Sequence, residues 1–267
     1  MQTKYPAVLT IAGSDSGGGA GIQADIKSIS ACGAYAASVI TVTTAQNTQG
    51  VTDIHAIPIP HLEKQLDAVL SDIDFGAIKI GMLHSCEVIR VVEAKLKSYN
   101  CTNIVLDPVM VATSGDNLID KAAIDCLKAF LPEATLITPN VPEAEILIGH
   151  KIDAENVADA AREMGQSFQT AVLLKGGHLE QNGAEIVDLL YVFATNEIYV
   201  INSPRVPTKH THGTGCSLSS GIAAFLSQGI DLIPAVKKGV QYVNKAISDG
   251  KDKILGKGNG PINHFGL

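Results

Sequence analysis

The sequence has no tryptophan, and aromatic residues make up only 4% of it. Stacking platforms for single-stranded nucleic acid, which need aromatic side chains along a basic groove, are therefore disfavoured. Positive charge is not in excess either: 20 Lys and Arg stand against 27 Asp and Glu, a net charge of −7. That balance leaves no basic field for a nucleic-acid backbone, while a local anion site stays open. No apolar run reaches the roughly 18 residues that cross a membrane. Met1-Gln2-Thr3-Lys4-Tyr5-Pro6 lacks the charged start, apolar middle and cleavage site of a secretory leader. The five cysteines, Cys32, Cys86, Cys101, Cys126 and Cys216, are scattered and form no CxxC. They read as reduced thiols of a cytoplasmic protein.

What is present is length and alternation. The chain has 267 residues, 46% of them hydrophobic, enough for one large core. Runs rich in Val and Ile at 8–13, 35–44, 75–83, 103–109, 134–140 and 171–176 read as strands. Helical spacing marks 21–32, where Ile22, Ile26 and Ile29 recur at i, i+4 and i+7 and Gly33 is the stop. It also marks 60–71, 85–99, 120–130, 142–148 and 156–166. Continuously apolar strands alternating with helices predict an α/β fold with a mainly parallel sheet buried on both faces. The rhythm breaks once. Segments 185–194 and 198–206 flank Thr195-Asn196-Glu197 and predict an antiparallel hairpin at one sheet edge. Two helices, 213–228 and 231–249, follow, and the last 17 residues read as a surface tail. No linker, repeat or low-complexity block divides the chain, so a single domain over 1–267 is expected.

Ligands of open parallel sheets bind beyond the carboxyl ends of the strands. Six polar stretches fall there: Ser14-Asp15-Ser16-Gly17-Gly18-Gly19, Ala45-Gln46-Asn47, Asp107-Pro108-Val109-Met110, Thr138-Pro139-Asn140-Val141-Pro142-Glu143, Lys175-Gly176-Gly177-His178 and Thr211-His212-Gly213-Thr214-Gly215-Cys216. The first is not a dinucleotide fingerprint, because position 22 is Ile, nor a P-loop, because position 26 is Ile. A tight strand-to-helix turn needs one or two glycines; the larger number points to a flat ligand lying against backbone. The last stretch opens a helix, whose first N–H groups and positive dipole end attract an anion. Glycines there let a phosphoryl group reach those N–H groups, which suits phosphoryl transfer. Cys216 in the first turn is expected to have a lowered pKa. Three other readings of this stretch stay open: a Cys216 nucleophile with His212 as base, a metal site from His210, His212 and Cys216, and a plain capping turn.

The stretches AGSDSGGGAGIQAD, AQNTQGV, KIGML, LDPVM, TPNVPEAEIL, LLKGGH, THGTGCSLSSGIAA and GKGNGPINHF together resemble the hydroxymethylpyrimidine/phosphomethylpyrimidine kinases of thiamine biosynthesis, in the ribokinase superfamily. The resemblance runs in order along nearly the whole chain. GTGC and DPVM are specific to the vitamin-kinase branch, since the sugar kinases carry Asp where Cys216 stands. Gly17 departs from the more usual Ser.

The resemblance implies a ribokinase-like three-layer α/β/α sandwich, a homodimer, and ATP-dependent phosphorylation of 4-amino-5-hydroxymethyl-2-methylpyrimidine and then of its monophosphate. It implies that Gln46 reads the aminopyrimidine, whose adjacent donor and acceptor suit a side-chain amide. It adds Ala20, Asp25, Thr44, Met82 and Val109 as the pocket wall, and Asp107, Asn140 and Glu143 as the Mg²⁺–triphosphate group. Asp107 and Glu143 would hold the metal, partly through water. Lys175 would face phosphate, as would Gly213, Thr214 and Gly215, and Cys216 would lie nearest the accepting hydroxyl. Taken alone, Met82 and Val109 also suit core packing, Glu143 suits a helix first turn, and Lys175 suits a solvated strand end. A pyridoxine kinase of the same branch and a ligand-binding regulator without turnover are the competing functions. Gln46 argues against the first, because pyridoxine has no exocyclic amine, and the intact phosphate-facing set argues against the second.

Overall fold

A computed structural model describes residues 4–110, 121–176 and 183–266. Its strands are β1 (Ala7–Asp15), β2 (Tyr35–Asn47), β3 (Gly50–Ala56), β4 (Ala77–Ile80), β5 (Ile104–Leu106), β6 (Leu136–Ile137), β7 (Ala171–Leu174), β8 (Glu185–Val192) and β9 (Glu197–Pro204). They form one sheet in the order β3-β2-β1-β4-β5-β6-β7-β8-β9. The stretch from β2 to β7 is parallel, and β3, β8 and β9 run antiparallel at the edges.

The helices cover both faces because the central strands are apolar on both sides. Along β1, Val8 and Leu9 are both fully buried but point to opposite faces. Val8 packs with Ile29 of α1 (Gly21–Ala31), Ile222 of α7 (Thr214–Ser227) and Val236 of α8 (Leu232–Gly250). Leu9 belongs to the core on the other face, which also takes in Leu62 of α2 (Ile59–Leu70), Val92 of α3 (Cys86–Ser98), Leu127 of α4 (Lys121–Phe130), Leu147 of α5 (Val141–Ile148) and Met164 of α6 (Val157–Phe168). The result is the three-layer α/β/α sandwich with parallel centre and β8–β9 hairpin that the sequence predicts.

Four expectations change. A second antiparallel edge strand, β3, follows β2; its residues are mostly exposed, so it carries little of the apolar signal that marks a buried strand. In α1 the buried face holds Ile22, Asp25, Ser28 and Ile29, whereas Ile26 is 37% exposed. A carboxylate therefore occupies the core-facing position that the spacing assigned to an isoleucine. The C-terminal segment is docked rather than a surface tail: Ile262 and His264 are buried, and Asn263 N–H donates to the Ala246 carbonyl at 3.0 Å. Cys86 and Cys126 are joined as a disulfide between α3 and α4, with Cα atoms 5.4 Å apart, whereas Cys32, Cys101 and Cys216 are free. Two partners 40 residues apart with no motif around them meet only because α3 and α4 pack side by side. Asp120, Gly177 and His178, read above as helix start and strand end, lie outside the described residues.

Thiol titration of the denatured protein is expected to count the three free cysteines before reduction and all five after it. A count of five without reductant would remove the α3–α4 bridge. By loop entropy that bridge contributes about 4 kcal/mol.

Candidate active site

The carboxyl ends of the central strands open into a cleft of about 360 Å³. Its middle is built on α7. Gly213 precedes the helix with φ +81°, and a Cβ there would collide with the Gly19 carbonyl oxygen. Only glycine allows the loop after β1 to come that close to the helix start. Among the described residues, the N–H groups of Gly215 and Cys216 have no backbone acceptor, as expected for a helix first turn. A Cβ on Gly215 would stand 3.4 Å from Asp107 Oδ2 and 3.4 Å from Lys175 Nζ. An anion-binding turn, a carboxylate and an ammonium thus share one spot.

Asp107 is 2% exposed. Its Oδ1 accepts from Thr138 Oγ1 at 2.9 Å and from Lys175 Nζ at 3.0 Å, and its Oδ2 is left facing the turn. Asn140 and Glu143 form a capping box at the start of α5. Glu143 N–H donates to Asn140 Oδ1 at 2.8 Å, and Asn140 N–H donates to Glu143 Oε2 at 2.9 Å. Glu143 is thus the first-turn acid that its position in the sequence allows, and both residues also line the cleft. Burial and the neighbouring Asp107 push Glu143 up to about 7, against the pull of Lys175 and of the Asn140 and Met110 N–H groups. Burial works against the Lys175 ammonium, but Asp107 and Glu143 outweigh it and hold its pKa above the ordinary value.

One end of the cleft is formed by Ala12, Ala20, Thr44, Gln46, Met82 and Val109. The ladder between β2 and β3 slips its register between Ala45 and Gln46, which breaks the strand's alternation there. Gln46 Oε1 lies 3.1 Å from the Thr44 hydroxyl, and its Nε2 lies 3.5 Å from His212 Nε2. The glycine loop beside it is no phosphate cradle. Its N–H groups are taken by Asp15, which accepts from Gly17 at 2.7 Å, Gly19 at 3.0 Å and Ala20 at 2.8 Å. His212 Nε2 lies 3.1 Å from the same carboxylate. Burial would raise Asp15, but the hydrogen bonds from His212, Ala20 and Gly17 outweigh it and its pKa is lowered. His212 is directed at Asp15, which leaves the Cys216 nucleophile reading without its base. Among the described residues no group of three His, Cys, Asp or Glu could hold a metal, which removes the His210–His212–Cys216 site.

The residues 15–263 match the family model described as phosphomethylpyrimidine kinase. The chain belongs to this family. It is 49% identical over 261 residues to the thiamine biosynthesis bifunctional protein ThiED of Geobacter sulfurreducens, covering 97% of this chain and 52% of that one. The chain thus spans about half the length of that relative. It is 46% identical over 261 residues to the hydroxymethylpyrimidine/phosphomethylpyrimidine kinase of Rhizobium meliloti, covering 96% of each. The ADP complex of Bacillus subtilis pyridoxal kinase has the same fold, with a TM-score of 0.88 and 30% identity over 98% of both chains.

In this chain, two of the residues singled out from sequence behave differently. Asp25 is fully buried beneath the cleft instead of lining it. It accepts from Lys79 Nζ at 2.9 Å, Thr10 Oγ1 at 2.6 Å and Ser220 Oγ at 2.7 Å. The buried ammonium is what makes a core carboxylate tolerable on α1. Cys216 is not acidic: burial pushes its thiol up to about 11, despite the Lys79 charge and the Gly21 N–H. Desolvation at the sheet edge outweighs the helix terminus there.

The sequence reading missed Lys79, Asp188 and a whole apolar end of the cleft, where Ile186, Leu218, Val240, Val243 and Ile247 converge between β8 and α8. A lysine inside the apolar strand KIGML was a readable anomaly. Asp188 accepts the Gly176 N–H at 2.9 Å, and its burial raises its pKa against that bond and Lys175. The apolar end had no signal, since its residues look like ordinary strand and helix cores. Asp107 and Glu143 supply two carboxylates beside an anion-binding turn, a donor set that fits Mg²⁺ held mainly by phosphate oxygens and water.

The raised Glu143 pKa has a signed consequence for stability. The folded state holds this proton from the unfolded value of 4.5 up to about 7, so stability falls as pH rises through that window. Glu143→Gln keeps the capping box and removes the titration. Its melting temperature relative to the parent is expected to rise between pH 5 and 7.5 and to be level below pH 4.5. A parent that gains on the variant toward pH 7.5 would refute the assignment.

Proposed function

We propose that the chain transfers the γ-phosphoryl group of ATP first to 4-amino-5-hydroxymethyl-2-methylpyrimidine and then to its monophosphate, as a step of thiamine biosynthesis. The observation that carries this reading is the spot where Gly215, Asp107 and Lys175 converge, in the same cleft as Gln46. A phosphate-handling centre lies between a polar end able to read an aminopyrimidine and an apolar end able to take a nucleobase. The hydroxymethylpyrimidine/phosphomethylpyrimidine kinase of Rhizobium supports the substrate, the thiamine biosynthesis protein of Geobacter supports the pathway, and the ADP bound to the Bacillus kinase supports the nucleotide.

In this reading Gln46 offers its amide to the ring nitrogen and exocyclic amine, with Thr44 holding the orientation. Ala20, Met82 and Val109 enclose the apolar part of the ring and exclude water. The N–H groups of Gly215 and Cys216 hold the transferring group, with Gly213 and Thr214 shaping the turn. Lys175 balances charge between Asp107 and the phosphates, and the Asn140 N–H holds the Glu143 carboxylate that lines the cleft. Asp107 and Glu143 would hold Mg²⁺, which when bound neutralises phosphate charge. Cys216 enters the reaction as a neutral thiol beside the accepting hydroxyl, so it orients and polarises rather than acting as a preformed base. The protein works in the cytoplasm as a homodimer.

ADP release with Mg²⁺–ATP is the deciding test, with the hydroxymethylpyrimidine, its monophosphate and pyridoxine offered separately. Turnover of the first two and little of pyridoxine is expected. Activity on pyridoxine alone would favour the reading that the Bacillus fold relative suggests, and binding without turnover would favour a regulator. Cys216→Ala is expected to slow the first transfer at least about tenfold more than the second. Only the first acceptor is a neutral hydroxyl, and equal losses would sink the role given to the thiol.

A further inference from the structure

The docked C-terminal segment is not used in the chemistry above, yet it meets the glycine loop, the β2–β3 turn and the 210–212 loop of the pyrimidine end. Gly258 N–H donates to Thr48 Oγ1 at 3.1 Å, and Asn259 N–H donates to the Thr48 carbonyl at 3.0 Å. Thr48 sits in the turn between β2 and β3, two residues after Gln46. On its other side Gly260 N–H donates to His210 Nδ1 at 3.1 Å, and the Gly260 carbonyl accepts His212 N–H at 3.2 Å. Pro261 continues this as a parallel bridge to His212. A Cβ on Gly19 would stand 3.3 Å from Pro261, so the segment also abuts the glycine loop. Farther on, His264 Nε2 lies 3.1 Å from Ser217 Oγ in α7, and Tyr242 in α8 donates to the His264 carbonyl at 3.2 Å.

We propose that residues 258–261 are a positioning latch of the acceptor site: they hold the β2–β3 turn and the 210–212 loop together, and so keep Gln46 and His212 in register at the pyrimidine end. The consequence of the latch is visible in the 3.5 Å approach of Gln46 Nε2 to His212 Nε2, two side chains 166 residues apart. His212 is clamped from both sides, its backbone by Gly260 and its ring by Asp15 and Gly19. Among the described residues, 258–261 makes no hydrogen bond to the apolar end of the cleft or to the Asp107–Lys175 pair. The latch therefore acts on acceptor binding and leaves nucleotide binding alone. This deepens the pyrimidine-kinase reading and rests on it.

Two substitutions grade the latch without touching a cleft residue. Gly260→Val places a Cβ 2.5 Å from His210 Nδ1 and wedges the segment off the loop. Thr48→Val keeps the shape and removes one acceptor. Gly260→Val is expected to raise KM for the pyrimidine about tenfold while KM for ATP stays within about twofold, and Thr48→Val to raise the first about threefold. Hydrogen exchange of the parent and Gly260→Val, without ligand, is expected to quicken at 44–48 and 210–213 and to be unchanged in α5. An unchanged pyrimidine KM, or equal rises in both KM values, overturns the latch, as does exchange that is unaltered or faster everywhere. If the parent fails to turn over the pyrimidine, the function reading falls, while the exchange experiment still decides the latch.

Discussion

The structure turns on one close approach. The helix that opens at Thr214 must present bare N–H groups at the sheet's carboxyl edge, with the loop after β1 packed directly against its start. That contact leaves no room for a Cβ at Gly213 and none at Gly19, where the His212 ring lies. With Gly215 also bare, the helix start comes within van der Waals reach of Asp107 and Lys175, and an anion-binding centre results. Every other part of the cleft is arranged around that point.

Such a centre concentrates charge in a poorly hydrated place, and the fold balances it in layers. Lys175 lies between Asp107 and Glu143, and Lys79 neutralises Asp25 one layer below. Burial outweighs that balance and pushes Glu143 up to about 7 and Cys216 to about 11, against the pull of Lys175 and Lys79. Of the two, Glu143 is the one whose protonation a charged ligand arriving in the cleft would change near neutral pH.

Division of labour along the cleft follows from which elements build each end. The acceptor end comes from the β1 loop, the β2–β3 hairpin and the 210–212 loop, tied by the C-terminal segment. The opposite end comes from β8, α7 and α8, where Leu218, Val240 and Val243 also belong to the core.

Much was legible without coordinates. Continuous Val and Ile runs separated by helical spacing determine a parallel sheet, because only strands buried on both faces are apolar throughout. Glycines at 213 and 215 beside a helix-forming stretch determine the anion turn, because helix N–H groups are orphaned wherever a helix begins. Tertiary structure decided the rest. Asp25 in place of Ile26 faces the core because Lys79, 54 residues away, neutralises it. Cys86 meets Cys126 because two helices pack, Cys216 loses acidity because the edge is desolvated, and the final segment docks because Thr48 and His210 offer it acceptors. Local pattern dictates hydrogen bonding and periodicity within a segment; which charges, thiols and acceptors stand opposite one another is a property of distances that exist only once the sheet has formed.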